Sequence, residues 1–218
     1  MKEDIPVIFE DENLLVVNKP AGMLIIPGRG SLKDAPSLTA IMTQKLQSRL
    51  YIVHRIDKET SGLVLLAKTP EIHRILCLKL EAKKIDRTYI ALVRGGMQKP
   101  SGTLNGPIHK FGSGRMGIDK RGKPSATFYK VINRFAHSTL IEVEPRTSRR
   151  HQIRVHLYSI GHPVVGDPLY GNRARSAAIA PRLMLHAWKI SIASLQGKPV
   201  RLETAIPYEF SIQINSME

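Results

Sequence analysis

At 218 residues, with 42% hydrophobic and 23% charged side chains, the chain can bury one sizeable core or two small ones, and its make-up excludes a disordered or fibrous protein. No apolar run approaches a membrane span, the N-terminal M-K-E-D-I-P lacks the apolar core of a secretion signal, and the lone Cys77 excludes an internal disulfide and a cysteine-based zinc site. The net charge is +15, concentrated in two blocks: residues 82–134 hold 12 Lys/Arg against 2 Asp/Glu and residues 146–201 hold 10 against 1, whereas residues 1–81 are balanced at 11 against 10. This distribution points to a polyanionic partner, nucleic acid ahead of a membrane surface, and the expected location is the cytoplasm.

Residues 13–17 read as a strand, ended by Asn18-Lys19-Pro20 and Gly22. Residues 25–30 read as a loop, with Arg29 between two glycines as a candidate phosphate contact. Ser37 caps a helix whose apolar positions Leu38, Ile41, Met42 and Leu46 keep helical spacing. Residues 51–68, Y-I-V-H-R-I-D-K-E-T-S-G-L-V-L-L-A-K, set two apolar runs, 51–56 and 63–67, around a polar hinge, 57–62, and predict a hairpin-like pair of buried strands. In an extended strand, residues two apart share a face, so Arg55 and Asp57 are expected to project together, and the arginine would keep the carboxylate ionised. Taken alone, this R-x-D reads as a structural ion pair with a turn-capping Asp.

Thr69-Pro70 opens a second helix, with Ile72, Ile75, Leu76 and Leu80 on one face and Cys77 as a core residue. A strand follows over residues 88–93, where Tyr89 alone reads as core or interface material. G-S-G-R-M-G at 112–117 matches the dinucleotide fingerprint formally, but that motif needs a strand before it and a helix after it; the basic, turn-rich residues 118–124 follow instead, so the stretch reads as an RNA-contacting loop. Residues 126–132 and 139–143 read as strands. Ser148 then caps a helix running to Ile160 and stopped by Gly161, with Ile153, Leu157 and Ile160 toward the core, His156 beside them and Arg154 at the stripe's edge, directed inward. Arg149 and Arg150 fall in its first turn, where a cation opposes the helix dipole, and a nucleic-acid phosphate would explain them. Strands over 183–192 and near 199–204 close the chain. His54, His151, His156 and His186 show no metal-ligand spacing and no accompanying Cys or carboxylate cluster, so no metal site is expected.

Residues 54–68, H-R-I-D-K-E-T-S-G-L-V-L-L-A-K, resemble the signature H-R-L-D-x-x-T-S-G-L-L-L-L-A-K of the RluA family of RNA pseudouridine synthases, departing only at Ile56 and Val64. V-V-N-K-P-A-G-M-L (16–24), R-T-Y-I-A-L-V-R-G (87–95) and R-T-S-R-R-H-Q-I-R-V-H-L with G-H-P-V-V-G-D-P-L-Y (146–157 and 161–170) resemble further motifs of that family, so the likeness spans about residues 12–206. Ser148 stands where a Gly is usual, and Arg150 where a small hydroxyl residue is usual. The resemblance implies an α+β fold: a mixed, largely antiparallel sheet with flanking helices and a central active-site cleft. It also implies a single catalytic domain over 1–218 without the N-terminal S4 RNA-binding domain of many members; A-P-R-L-M-L-H-A (180–187) is similar to that short type.

The activity implied is isomerisation of specific uridines in structured ribosomal or transfer RNA loops, by a monomer that needs no cofactor because nothing is oxidised and no group is lost. By the motifs, Asp57 is the catalytic carboxylate, Arg154 its partner, and Tyr89 stacks on the base or takes part in proton removal. Arg55 is expected to hold the flipped nucleotide or fill its place, and His54, Arg149, Arg150 and His151 are expected to contact RNA. One carboxylate with no second acid suits an isomerase better than a glycosidase. The rival readings are a non-catalytic RNA-binding or ribosome-associated protein of the same fold, and a nuclease or RNA glycosylase using Asp57. An altered Asp57, Tyr89 or Arg154 would have favoured the first rival, and all three are intact.

Overall fold

The computed structural model describes residues 5–28, 30, 35–171, 180–192 and 199–215; Arg29 lies outside them. In chain order the elements are β1 (Val7–Glu10), β2 (Leu14–Lys19), α1 (Leu38–Leu46), β3 (Tyr51–Ile52), β4 (Ser61–Ala67), α2 (Pro70–Glu81), β5 (Ile85–Arg94), β6 (Ser101–Asn105), β7 (Ile108–Lys110), β8 (Met116–Ile118), β9 (Ala126–Arg134), β10 (Ser138–Pro145), α3 (Gln152–Ser159), β11 (Leu185–Ile192), β12 (Val200–Glu203) and α4 (Tyr208–Asn215). The class is α+β. The chain divides into a unit of residues 1–87 with 187–205 and a unit of residues 88–186 with 206–218. No described helix is long and apolar enough to cross a membrane.

In the first unit, β2 pairs antiparallel with both β1 and β4, in a register that sets Leu15 opposite Leu66 and Val17 opposite Val64. Those four side chains pack with Leu38 and Met42 of α1. The alternate residues Leu14, Val16, Leu63, Leu65 and Ala67 pack with Leu76 of α2 on the other face. The period of two therefore gives each helix its own face of the sheet. All seven residues of β4 are buried, and at about 1.5–3 kcal/mol for each fully buried aliphatic side chain this strand is the unit's anchor. The helix starts follow their caps: Ser37 Oγ accepts from Ala40 N–H, and Thr69 Oγ1 accepts from Ile72 N–H with Pro70 first in the helix.

In the second unit the strand order is β5-β10-β9-β6, with Tyr89 of β5 opposite Val143 of β10, and β7–β8 form a separate antiparallel hairpin. Residues 112–115 of the G-S-G-R-M-G stretch lie in the turn of that hairpin and Met116 and Gly117 begin β8, so a strand follows the glycines where a dinucleotide site would need a helix. β1, β6 and α4 also go beyond the sequence expectations. Cys77 is half-buried, with its Sγ 3.4 Å from His73 Nε2, and burial pushes its thiol pKa up, so it stays protonated.

Two further expectations need correction. The strand expected over 51–56 stops at Ile52, so the period-two argument placing Arg55 and Asp57 on one face loses its basis. Helix α3 begins at Gln152 after His151 in a left-handed conformation (φ 54°), and the His151 side chain makes no cap hydrogen bond. Arg149 and Arg150 thus precede the helix instead of loading its first turn, and Ile160, past its end, is 41% exposed.

Candidate active site

Asp57 sits half-buried at the start of a tight turn in which Thr60 N–H donates to its carbonyl at 3.1 Å. The approach to this turn is set by His54. Where the β3–β4 ladder ends, Val53 N–H still donates to Leu65 O at 3.3 Å, but Leu65 N–H donates to His54 Nε2 at 3.2 Å. The imidazole stands in for the next backbone acceptor, which lets residues 54–57 leave the sheet without orphaning Leu65. His54 is only 6% exposed, and its pKa is pushed down to about 3, first by burial and then by the charge of Arg87.

This depression has a stability consequence. Below pH 6.5 the unfolded chain binds a proton at His54 that the folded chain refuses until about pH 3, so the contribution is complete above 6.5 and declines as pH falls. The loss is about 1.4 kcal/mol per pH unit. A glutamine can accept from Leu65 N–H without titrating. In His54→Gln the stability difference between pH 7 and pH 5, read from urea unfolding, should be smaller than in wild type by about 2 kcal/mol. Equal differences would show that His54 does not hold its neutral form.

The far side of the turn is held by Lys19. Its ammonium is fully buried and donates to the carbonyls of Pro20 (2.8 Å), Met23 (2.9 Å) and Lys58 (3.0 Å). Gly22 N–H donates to the same Lys58 carbonyl at 2.8 Å. The residue after Asp57 is therefore tied to the N-K-P-A-G segment from two directions. Sequence reasoning read that segment as a strand end and missed this role. The available signal was the alternation itself, because Leu15, Val17 and Lys19 share one face and the third carries a charge. Lys19→Met leaves these three acceptors in the interior without the cation and should cost about 3 kcal/mol, measurable by denaturant unfolding. Wild-type stability in Lys19→Met would refute the anchoring role. Gly62 completes the support: at φ +113° it is left-handed, and any Cβ there would collide with the backbone of Ala187.

In the second unit, Tyr89 is 6% exposed on β5, and Arg154 on α3 is fully buried. Arg154 forms a two-pronged pair with Asp167, Nε to Oδ2 at 2.7 Å and Nη2 to Oδ1 at 2.8 Å, with both side chains wholly out of solvent. Asp167 Oδ1 also accepts from the N–H groups of Leu169 (2.8 Å) and Tyr170 (3.0 Å). The carboxylate is placed by the V-V-G-D turn: Asp167 N–H donates to Val164 O, and Gly166 (φ +74°) has Arg182's backbone where a Cβ would lie. Asp167 escaped the sequence analysis, although it is the single acid among ten cations in residues 146–201.

The Tyr170 ring lies 5.2 Å from the Arg154 guanidinium carbon. Its hydroxyl accepts from Met116 N–H at 3.2 Å and lies 2.8 Å from His151 Nδ1, and burial raises its pKa. Gln152 secures the helix start. Its Oε1 accepts from Thr147 Oγ1 and Arg149 N–H, and its Nε2 donates to Ala126 O and Thr127 Oγ1. The candidate site residues thus divide by exposure. Arg55, Arg149 and Arg150 are exposed, Arg149 reaching only a 3.5 Å contact with Pro124 O, whereas His54 and His151 are interior side chains bonded to protein groups.

Residues 13–159, which include both the Asp57 turn and α3, match the RNA pseudouridylate synthase family. The chain belongs to that family. The ribosomal large subunit pseudouridine synthase D of Nitrosomonas europaea is 37% identical over 235 residues, covering 99% of this chain and 66% of the relative. The protein of the same name from Pseudomonas aeruginosa is 36% identical, covering 95% of this chain and 70% of the relative. The chain therefore spans about two-thirds of the length of these pseudouridine synthases. Among solved structures, human RNA pseudouridylate synthase domain containing 1 is similar with a TM-score of 0.81 and 26% identity, over 94% of this chain and 85% of that one.

Proposed function

We propose that the protein is an RNA pseudouridine synthase that isomerises uridine in structured RNA of the cytoplasm, ribosomal RNA first, since the two bacterial relatives are named for the large ribosomal subunit. The reaction breaks the N1–C1′ bond, turns the base, joins C5 to C1′ and leaves the C5 proton's equivalent on N1, so atoms balance without a cofactor. In this reading Asp57 supplies the carboxylate that acts while C1′ is electron-poor, Arg154 supplies the site's cation, and Tyr89 stacks on the base or moves a proton. Arg55, Arg149 and Arg150 are the exposed cations of this set and would contact the RNA directly, while His54 and His151 would act by shaping the backbone and the rings behind it. The protein would act as a monomer, the whole chain forming one catalytic domain.

The observation that carries the proposal is an intact Asp57 on a turn held by Lys19, Gly22 and His54, in a chain of this family. The test is nucleoside analysis of ribosomal and transfer RNA transcripts after incubation with the protein. A synthase converts uridine to pseudouridine with RNA length and mass unchanged. A nuclease shortens the chain, a glycosylase lowers its mass, and a binding protein leaves the uridine as it was; any of these three results rejects the proposal.

A further inference from the structure

The β7–β8 hairpin packs against α3 and leaves a cleft of about 320 Å3, at the small end of the range for ligand sites. Its floor is Met116, Val155 and Tyr170, which cluster with Ile108. Its rim carries Phe111 and Tyr158, 37% and 47% exposed, together with Arg115. The Arg115 guanidinium carbon lies 5.6 Å from the Tyr158 ring centroid and 5.1 Å from that of Tyr170. The cleft therefore offers a planar cation and aromatic faces around a space small enough to suit a single flat group.

Charge selects the occupant. Residues 106–124 hold Lys110, Arg115, Lys120, Arg121 and Lys123 against one acid, Asp119. Asp119 is already engaged by Arg121 through two contacts of 2.9 Å, and among the described residues Arg115 rests on rings without a carboxylate partner. An unneutralised arginine beside exposed rings matches the way single-stranded RNA is gripped: bases stack on Tyr, Phe and Arg planes while cations meet the backbone.

We propose that the cleft between the β7–β8 hairpin and α3 docks one unstacked RNA base, other than the uridine acted upon, against Phe111 and Tyr158, with Arg115 at the adjoining phosphate. This rests on the reading of the protein as an enzyme of structured RNA and adds a second point of contact to it. The site selects RNA with unpaired nucleotides, because a continuous duplex has no base free to enter.

The test compares binding to a stem-loop RNA with a uridine-containing loop and to a blunt RNA duplex of equal length, by fluorescence anisotropy at one fixed salt concentration. In Phe111→Ala/Tyr158→Ala, stem-loop affinity should fall about tenfold or more, while duplex affinity changes by less than about twofold. Tyr158→Ala alone should show a smaller loss of the same selectivity, which guards against a misfolded double variant. Phe111→Tyr/Tyr158→Phe, which keeps both rings, should restore the stem-loop preference. Equal weakening on both RNAs, or no weakening on the stem-loop, overturns the proposal. Neither measurement needs turnover. Loop-selective loss in a protein that forms no pseudouridine keeps the cleft and rejects the activity, and pseudouridine formation without loop-selective loss does the reverse.

Discussion

Asp57→Asn is expected to lower pseudouridine formation by a factor on the order of 10⁴ or more while RNA affinity stays within about threefold. Backbone contacts shape the turn: Lys58 O receives Lys19 and Gly22, Asp57 O receives Thr60 N–H, and Leu65 N–H is held by His54. An isosteric amide at position 57 leaves those backbone bonds in place while it removes the charge. Binding is expected to draw on the two basic blocks, with 12 and 10 Lys/Arg, so loss of one carboxylate should not weaken it. Asp57→Glu separates charge from position, because it keeps the anion but advances it by a methylene. A displacement of about 1 Å at a reacting group costs on the order of 10²-fold. Single-turnover conversion with protein in excess, alongside filter-binding affinity, reads both quantities. Near wild-type conversion by Asp57→Asn would remove Asp57 from the chemistry, and a parallel collapse of affinity would make it a determinant of the RNA surface instead.

The parts of this fold that could be read from sequence are those where local chemistry and burial agree. Ser37 and Thr69-Pro70 start α1 and α2 as their capping chemistry demands, and the apolar runs of β2, β4 and β5 become buried strands. Elements with weak patterns were not legible. β6 reads S-G-T-L-N and alternates only between exposed and half-buried positions on the outer side of β9, so no apolar period marks it. The β7–β8 hairpin hides among glycines, and its turn is closed by Phe111 N–H to Arg115 O and Gly114 N–H to Phe111 O. The helix expected from Ser148 starts only at Gln152, and the Gln152 side chain that secures it has partners, Ala126 and Thr127, on a strand 25 or more residues away. The same limit applies to the site. Asp57 and Arg154 stand out through long motifs, whereas Lys19 acquires its role from a carbonyl 39 residues distant and Asp167 from a guanidinium 13 residues distant. Each had a trace in the sequence, a charge on an apolar face and a lone acid in a basic block, but neither trace names a partner.

Breaking the Arg154–Asp167 pair is expected to be the most damaging single change to the fold. Both side chains are fully buried, so solvent does not soften the loss, and Asp167→Asn should cost about 3–5 kcal/mol of stability. The asparagine oxygen can still accept from Leu169 and Tyr170 N–H, but its amide nitrogen then faces Arg154 Nε, donor against donor, with a guanidinium charge left uncompensated by its carboxylate. For a chain of this length the thermal midpoint should fall by roughly 10 °C. Arg154→Lys should give an intermediate loss, since a single ammonium cannot reproduce the fork that meets both oxygens. The discriminating variant is Arg154→Met/Asp167→Asn, in which the asparagine oxygen still accepts from Leu169 and Tyr170 N–H. Removing both charges removes the donor-against-donor clash and the desolvation penalty of the guanidinium, so the double variant should be more stable than Asp167→Asn. If Arg154 acts in catalysis, as its place in the family motif implies, this refolded double variant will remain inactive in single-turnover conversion. A stable double variant with full activity would confine Arg154 and Asp167 to holding α3 against the V-V-G-D turn, and the cation of the site would then have to be sought among the exposed arginines, with Arg55 first.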